Sequence, residues 1–133
     1  MKNTDGFKIT VTNKQKSDDM SDTVTETGGG TYRKSESASY ISYTVDNTRV
    51  LIKAHGNMIS VKRIGDFSYD VKYESGKHTS FDYKTPYGTI GMSVFTERII
   101  CSTNENGGEI RLCYTLQTGG DKLYNDTMIK IER

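Results

Sequence analysis

Apolar and polar residues alternate along most of this chain, in short runs that end at clusters of Gly, Asp, Asn and Ser. The turn clusters after residue 48 are His55-Gly56-Asn57, Gly65-Asp66, Ser75-Gly76-Lys77, Thr85-Pro86-Tyr87-Gly88, Asn104-Glu105-Asn106-Gly107-Gly108 and Gly119-Gly120-Asp121. Alternation buries one face of a strand, and short turns keep successive strands antiparallel neighbours. The pattern predicts an all-β fold, a single antiparallel up-and-down (meander) β-barrel of about eight to ten strands.

The alternation also fixes which side chains point into the barrel. Residues in the inward phase are Phe7, Ile9, Val11, Val24, Tyr32, Ile41, Tyr43, Val45, Val50, Ile52, Ala54, Ile59, Val61, Arg63, Phe67, Tyr69, Val71, Tyr73, Thr79, Phe81, Tyr83, Ile90, Met92, Val94, Thr96, Ile110, Leu112, Tyr114, Leu116, Thr127, Ile129 and Ile131. This set holds one arginine and several tyrosines, whose polar groups need partners when buried. The candidate ligand-binding residues of the interior are Arg63, Tyr43, Tyr69, Tyr73, Tyr83, Tyr114, Thr79 and Thr96.

Composition supports one folded domain. The chain has 133 residues, the size of a single domain, so residues 1–133 are expected to share one core. The hydrophobic fraction of 33% is below the ~45–50% typical of soluble proteins. A single-walled barrel explains the deficit, because it needs apolar residues at only every second position, and its tyrosines bury large areas.

Charge and hydropathy argue against several classes of partner. The 18 Lys and Arg nearly balance the 17 Asp and Glu, and the basic residues are scattered along the sequence. We therefore expect no nucleic-acid binding and no anionic-membrane binding. Residues 1–7 lack the apolar segment of a secretion signal, and no apolar run is long enough for a transmembrane helix. The sequence predicts a soluble, cytoplasmic protein.

Three local features break the alternation. The polar stretch from Asn13 to Asp22 predicts a long flexible loop or one short helix, and the Gly28-Gly29-Gly30 run predicts a strongly bent or bulged strand. Pro86 and Gly88 predict a type I turn. Tyr87 at its tip is either an exposed contact or lid residue, or packs on its own hairpin, the more common arrangement.

Two cysteines, Cys101 and Cys113, lie equally far from Gly107 in the sequence. If that glycine marks the middle of a hairpin loop, the two thiols face each other across strands and form a redox-sensitive or structural crosslink. The alternative is two reduced thiols, which the missing secretion signal favours.

No residue pattern predicts catalysis. His78, Ser80 and Asp82 have the residue types of a hydrolase triad, but alternate residues of a strand lie ~6.6 Å apart, whereas triad members touch. No Cys, His or carboxylate spacing is typical of a metal site. We predict a protein that is not an enzyme and that uses no cofactor and no metal.

The segment from residue 59 to 96 resembles the YwiB-like family of small bacterial proteins. The motifs that carry the resemblance are Val61-Lys62-Arg63-Ile64-Gly65, Gly76-Lys77-His78-Thr79-Ser80, Tyr83-Lys84-Thr85-Pro86-Tyr87-Gly88 and Met92-Ser93-Val94-Phe95-Thr96. It implies a calycin-type, lipocalin-like antiparallel barrel in a family whose function is not established. The chain departs from the family at Thr44 and Val45, where acidic residues are expected. It also has no Trp, so it lacks the Gly-x-Trp signature of secreted lipocalins.

Arg63 has two interpretations. Its guanidinium either binds the carboxylate or phosphate of a small ligand bidentately, or reaches the rim and forms a structural ion pair with Glu26, Asp66 or Asp70.

Two functions follow. The first is an intracellular barrel that binds a small, partly apolar, anionic or amphipathic ligand. The second is a protein–protein interaction module with a filled barrel, possibly a homodimer, that uses an apolar patch at Leu51, Ile99 and Ile100. A cavity of ~300 Å³ or more, lined by Arg63 and tyrosines 69, 73 and 83, would favour the first.

Overall fold

The strands follow one another along the chain as an antiparallel meander. The structure is a computed structural model that describes residues 4–133. Its strands are β1 (Phe7–Lys16), β2 (Ser21–Lys34), β3 (Ser39–Val45), β4 (Thr48–His55), β5 (Met58–Ile64), β6 (Tyr69–Glu74), β7 (His78–Thr85), β8 (Gly88–Asn104), β9 (Gly107–Thr118) and β10 (Asp121–Glu132). They form one sheet in the order β6-β5-β4-β3-β2-β1-β10-β9-β8-β7. The predicted all-β meander barrel is confirmed, at the upper end of the predicted strand number.

The barrel is nearly closed, and its seam lies between the sheet edges β6 and β7. At one end of the seam Ser68 and Lys84 exchange two backbone hydrogen bonds of 2.9 and 2.8 Å. At the other end the Gly76 N–H donates to the Thr96 carbonyl at 2.8 Å. Between these points aromatic rings close the wall: the Tyr69 ring lies 5.8 Å from that of Phe81.

The inward faces of the strands form one apolar core. Its buried members are Phe7, Ile9, Tyr32, Ile41, Tyr43, Val50, Ile52, Ala54, Ile59, Val71, Tyr73, Val94, Ile110, Leu112, Ile129 and Ile131. All of them are in the inward phase that the sequence pattern predicts. Burial of each such side chain contributes about 1.5–3 kcal/mol, so the core supplies most of the folding free energy.

One end of the barrel is open. Val24, Phe67 and Ile90 are in the inward phase, yet 49%, 46% and 43% of their surfaces are exposed. They lie at or next to the β1–β2, β5–β6 and β7–β8 connections, which a meander places at the same end of the barrel. We call this end the mouth. Their inward direction is as predicted for Val24, which lines the interior, but alternation gives the direction of a side chain and not its depth.

The polar stretch from Asn13 to Asp22 is neither a loop nor a helix. β1 continues to Lys16 and β2 begins at Ser21. A tight turn joins them, in which the Ser17 N–H donates to the Met20 carbonyl at 2.9 Å. The loop prediction was wrong because the inward residues here are polar, so the alternation of apolar and polar residues disappears although the strand continues.

The glycine run lies within β2, at the point where that strand changes its pairing partner. β2 pairs with β1 up to Gly30 and with β3 from Gly29 onward. Its pairing runs without a register shift, so the predicted bulge is not at these residues. Instead, a Cβ atom on Gly30 would lie 1.8 Å from the Ser42 carbonyl oxygen, so the glycines allow β3 to approach closely.

A bulge does occur in β8, between Thr96 and Arg98. The extra residue reverses the phase of the strand, so Ile99 packs against the core while Ile100 is exposed. Leu51 lies on β4, in a different wall of the barrel. The predicted patch of Leu51, Ile99 and Ile100 therefore does not exist as one surface.

The β8–β9 turn separates the two cysteines. The turn is centred on Glu105 and Asn106 rather than on Gly107, so Cys101 pairs with Ile110 and Cys113 pairs with Arg98. Both thiols are free. The structure therefore has two unlinked thiols and no crosslink between them.

The β7–β8 turn presents Tyr87 to solvent. The turn joins Thr85 to Gly88, and Tyr87 between them is 95% exposed. Tyr87 therefore does not pack on its own hairpin. No helix within residues 4–133 has the length and apolar character needed to cross a bilayer.

Candidate functional site

An ion pair spans the mouth end of the barrel interior. Arg63 near the end of β5 meets Glu26 of β2 through two parallel bonds, from Nη1 to Oε1 at 3.0 Å and from Nη2 to Oε2 at 2.9 Å. The Tyr43 hydroxyl on β3 donates to the same Oε1 at 2.9 Å. The Arg63 and Glu26 side chains are 25% and 23% exposed. Of the three carboxylates proposed from the sequence, Glu26 is the partner of Arg63.

This triad has a fixed protonation state at neutral pH. The hydrogen bonds from Arg63 hold the pKa of Glu26 below its ordinary value, although burial acts in the opposite direction. Burial, and then the Glu26 charge, raise the pKa of Tyr43. The bonds to Glu26 raise the pKa of Arg63. The group is therefore a carboxylate, a guanidinium and a neutral phenol, with no net charge.

The triad borders a cavity of about 200 Å³ inside the barrel. The cavity has an apolar part and a polar part. The apolar lining residues are Val11, Val24, Val50, Ile52, Val61, Leu112 and Ile129. The polar lining residues are Asn13, Gln15, Glu26, Tyr43, Arg63, Tyr69, Tyr73, Tyr114 and Thr127. Five of the eight candidate residues from the sequence thus line this cavity.

The other three candidates lie elsewhere. Tyr83 stacks on Tyr69 at the seam, with ring centroids 6.0 Å apart. The Thr79 hydroxyl, also at the seam, donates to the Lys72 carbonyl at 2.6 Å. Thr96 is fully buried beside the β8 bulge, and its hydroxyl has no hydrogen-bond partner among the described residues. The structure does not bring these three to the cavity.

A hydrogen-bonded amide network forms one wall of the cavity. Asn13 and Gln15 on β1 both donate to the Asn125 side-chain oxygen on β10, at 3.0 and 3.3 Å. The Thr127 hydroxyl donates to the Asn13 side-chain oxygen at 2.9 Å. Sequence reasoning missed Asn13 and Gln15 as cavity-lining residues and Asn125 as their hydrogen-bond partner. The signal that would have found them is their inward phase, opposite Val24 on β2 and in register with Thr127 on β10.

The cavity tyrosines keep their protons. Burial raises the pKa of Tyr69 to about 12 and also raises that of Tyr73 and Tyr114. The rings of Tyr73 and Tyr114 lie 4.7 Å apart. At neutral pH these hydroxyls are therefore neutral groups that can donate and accept hydrogen bonds, beside an apolar wall.

The site lacks the arrangement of a hydrolytic centre. His78, Ser80 and Asp82 are exposed on the outer side of β7, away from the cavity. Within residues 4–133 no group of three or more His, Cys, Asp or Glu residues is placed to hold a metal ion. Its geometry suits noncovalent binding through hydrogen bonds and apolar contact.

Comparison with known proteins supports the motif resemblance. A model of the family described as Domain of unknown function (DUF1934) matches residues 9–131. The chain belongs to this family. The DUF1934 match includes every residue that lines the cavity.

A solved structure supports the fold of this DUF1934 chain. The crystal structure of ywiB protein from Bacillus subtilis is similar with a TM-score of 0.86 and 19% sequence identity. The similarity covers 95% of this chain and 89% of that one. A search of curated proteins finds no match. The resemblance to YwiB-like proteins is therefore confirmed, and at this identity the structural match establishes the fold alone.

Proposed function

We propose that this chain is a calycin-like intracellular barrel that binds a small, partly apolar ligand in its interior cavity. The observation that carries the proposal is the unfilled, half-polar cavity beside an open mouth. Ligand sites of this kind combine apolar walls with a few fixed polar groups. Here the amide network and the tyrosine hydroxyls would orient the polar end of the ligand.

The cavity volume limits how much of the ligand is enclosed. At about 200 Å³ the cavity does not reach the ~300 Å³ that the sequence-based prediction set as favouring ligand binding, and Tyr83 is not among its lining residues. The half-exposed apolar side chains of the mouth, Val24, Phe67 and Ile90, offer further contact area next to it. An amphipathic ligand fits both features, with its polar end inside and its apolar part at the mouth.

An anionic end group would compete with Glu26 for Arg63. Because Glu26 already accepts one hydrogen bond from each Nη atom of Arg63, a ligand carboxylate must displace it or bind the remaining N–H groups of a triad with no net charge. The Glu26 side chain is 23% exposed, so it can leave Arg63 and enter solvent without crossing the core. Glu26 therefore weakens the preference for anionic ligands that Arg63 alone predicts.

Glu26→Gln is expected to increase the affinity for small carboxylic acids by about tenfold, because it frees Arg63 for a charge-assisted pair. Neutral amides and alcohols of the same chain length should gain little. The measurement is a thermal shift titration with both ligand series, using Glu36→Gln in the exposed β2–β3 turn as the control for charge. Equal carboxylate binding by wild type and Glu26→Gln would show that Arg63 does not contact the ligand.

A second candidate function is docking of the mouth onto another protein or a second copy of this chain. The observation that favours it is the group of half-exposed apolar side chains at the mouth. Sedimentation velocity tests the second-copy form of this proposal. A concentration-dependent dimer that Phe67→Ser abolishes supports it, and a monomer at all concentrations contradicts it.

A further inference from the structure

A groove of about 520 Å³ lies on the outer face of strands β2 to β6, separate from the interior cavity. Three basic side chains line it: Arg33, Lys53 and Lys62. Asp70 is its single acidic lining residue within the described part of the chain. We call this surface the basic groove. Its charge differs from that of the whole chain, which is nearly neutral.

Strand pairing creates the basic groove from residues that are far apart in the sequence. Arg33 is opposite Tyr40, and Tyr40 is opposite Lys53, so the three lie in one row across β2, β3 and β4. In the next row Leu51 is opposite Lys62 of β5. Neighbouring strands are ~4.8 Å apart, so basic residues two strands apart are separated by about 10 Å. Strand pairing therefore brings three of the 18 basic residues to one outer face.

The Tyr40 ring contacts two of the three groove cations, Arg33 and Lys53. The Arg33 guanidinium carbon lies over its ring at 4.3 Å from the centroid, and the Lys53 ammonium lies at 5.6 Å. A guanidinium in a cation–π contact keeps N–H groups available for other partners. Among residues 4–133, none of the three groove cations forms an ion pair with a carboxylate. Arg33 and Lys53 are therefore available to a partner, whereas Lys62 faces Asp70 directly across the β5–β6 pair.

The floor of the groove has room for a flat ring. Thr31, Ser42 and Ser60 line it with short side chains, and Leu51 adds an apolar surface. Single-stranded nucleic acid is bound by grooves that combine cations for the phosphates with aromatic side chains and Arg guanidinium groups for the bases. An acidic peptide would use the cations but not the stacked Tyr40–Arg33 pair.

We propose that the basic groove binds single-stranded nucleic acid. The cations contact phosphates, and a base stacks on the Tyr40–Arg33 pair. This proposal is independent of the interior cavity, and it revises the expectation of no nucleic-acid binding that the scattered charges suggested.

The test is fluorescence anisotropy of a short labelled single-stranded RNA at low salt and over a salt series. Wild type should bind, and the triple variant Arg33→Ser, Lys53→Ser, Lys62→Ser should lose at least about tenfold in affinity. The slope of log affinity against log salt should become shallower by about 2, because each phosphate that is no longer neutralised removes ~0.7 from it. Tyr40→Leu should weaken binding about fivefold or more through loss of stacking.

Matched controls make the test specific. The triple variant Lys8→Ser, Lys16→Ser, Lys122→Ser removes the same charge from the exposed wall of β1 and β10 and should bind as wild type does. Circular dichroism and melting curves confirm that each variant is folded. The proposal is overturned if wild type does not bind at low salt, or if the control triple loses as much affinity. It is also overturned if an acidic peptide of equal charge binds as tightly and Tyr40→Leu has no effect.

Discussion

Gly30→Ala is expected to lower the melting temperature by about 10 °C, corresponding to a loss of about 3 kcal/mol. The reason is steric. A Cβ atom at this position would lie 1.8 Å from the Ser42 carbonyl oxygen and 2.8 Å from the Tyr43 Cα atom. Both atoms are backbone, so no side chain can rotate away, and β2 and β3 must separate. The backbone angle φ of Gly30 lies outside the left-handed region, so the whole effect comes from the contact.

Gly29→Ala is the matched control. It makes the same chemical change one residue away, where a Cβ atom would meet nothing within 4 Å. Its melting temperature should stay at or slightly above that of wild type, because alanine restricts the unfolded chain more than glycine does. Differential scanning calorimetry of the three proteins measures the effect. Equal melting temperatures for the two variants would refute the close approach of β3 to Gly30.

Arg63→Met is expected to lower the stability by about 2 kcal/mol, which lowers the melting temperature by about 6 °C. Loss of one partner of a fully buried ion pair costs ~3–5 kcal/mol. The loss of stability is smaller here because the Arg63 and Glu26 side chains are about a quarter exposed. The variant leaves Glu26 with the Tyr43 hydroxyl alone.

The fold provides a control pair for Arg63→Met. Arg111 and Asp126 also form a bidentate contact, from Nε and Nη2 at 3.0 and 2.8 Å, but their side chains are 39% and 40% exposed. Exposed pairs contribute little, so Arg111→Met should change the melting temperature only slightly. Equal losses for the two variants would contradict the structural role of the Arg63–Glu26 pair.

The pH dependence of stability distinguishes wild type from Arg63→Met. The pKa of Glu26 is lowered from 4.5 by its bonds to Arg63, so the stabilisation is complete above that pH and is lost as pH falls through the lower, folded-state pKa. The advantage of wild type over Arg63→Met should stay constant down to about pH 5 and then shrink. Urea denaturation at a series of pH values measures it. An advantage that grows below pH 4.5 would have the wrong sign.

Alternation was sufficient to predict the fold because a barrel wall buries one face of every strand. The buried apolar core residues all follow the predicted phase. The pattern failed where inward residues are polar, as at Asn13 and Gln15, and where a bulge reversed the phase, as at Ile99. The residue types indicate neither the position of the bulge nor how deep the Phe67 side chain lies in the barrel.

The candidate site was predictable in part. Arg63 stood out as the one basic residue in the inward phase, and the structure places it at the cavity with four of the predicted tyrosines. The choice of Glu26 over Asp70 follows from the same alternation, because Glu26 shares the inward phase of Val24 on β2 whereas Asp70 lies between the inward Tyr69 and Val71. The basic groove also depends on strand register, which brings Arg33, Lys53 and Lys62 together from separate strands.

Native mass spectrometry of the protein purified from its own cells tests the ligand-binding account most directly. Val61→Phe, which places a larger side chain at the cavity wall, is the comparison protein. We expect wild type to carry a noncovalent mass that denaturation removes, and Val61→Phe to fold but carry none. Wild type at the bare mass of the chain, or the same bound mass on both proteins, would contradict a ligand held in the cavity.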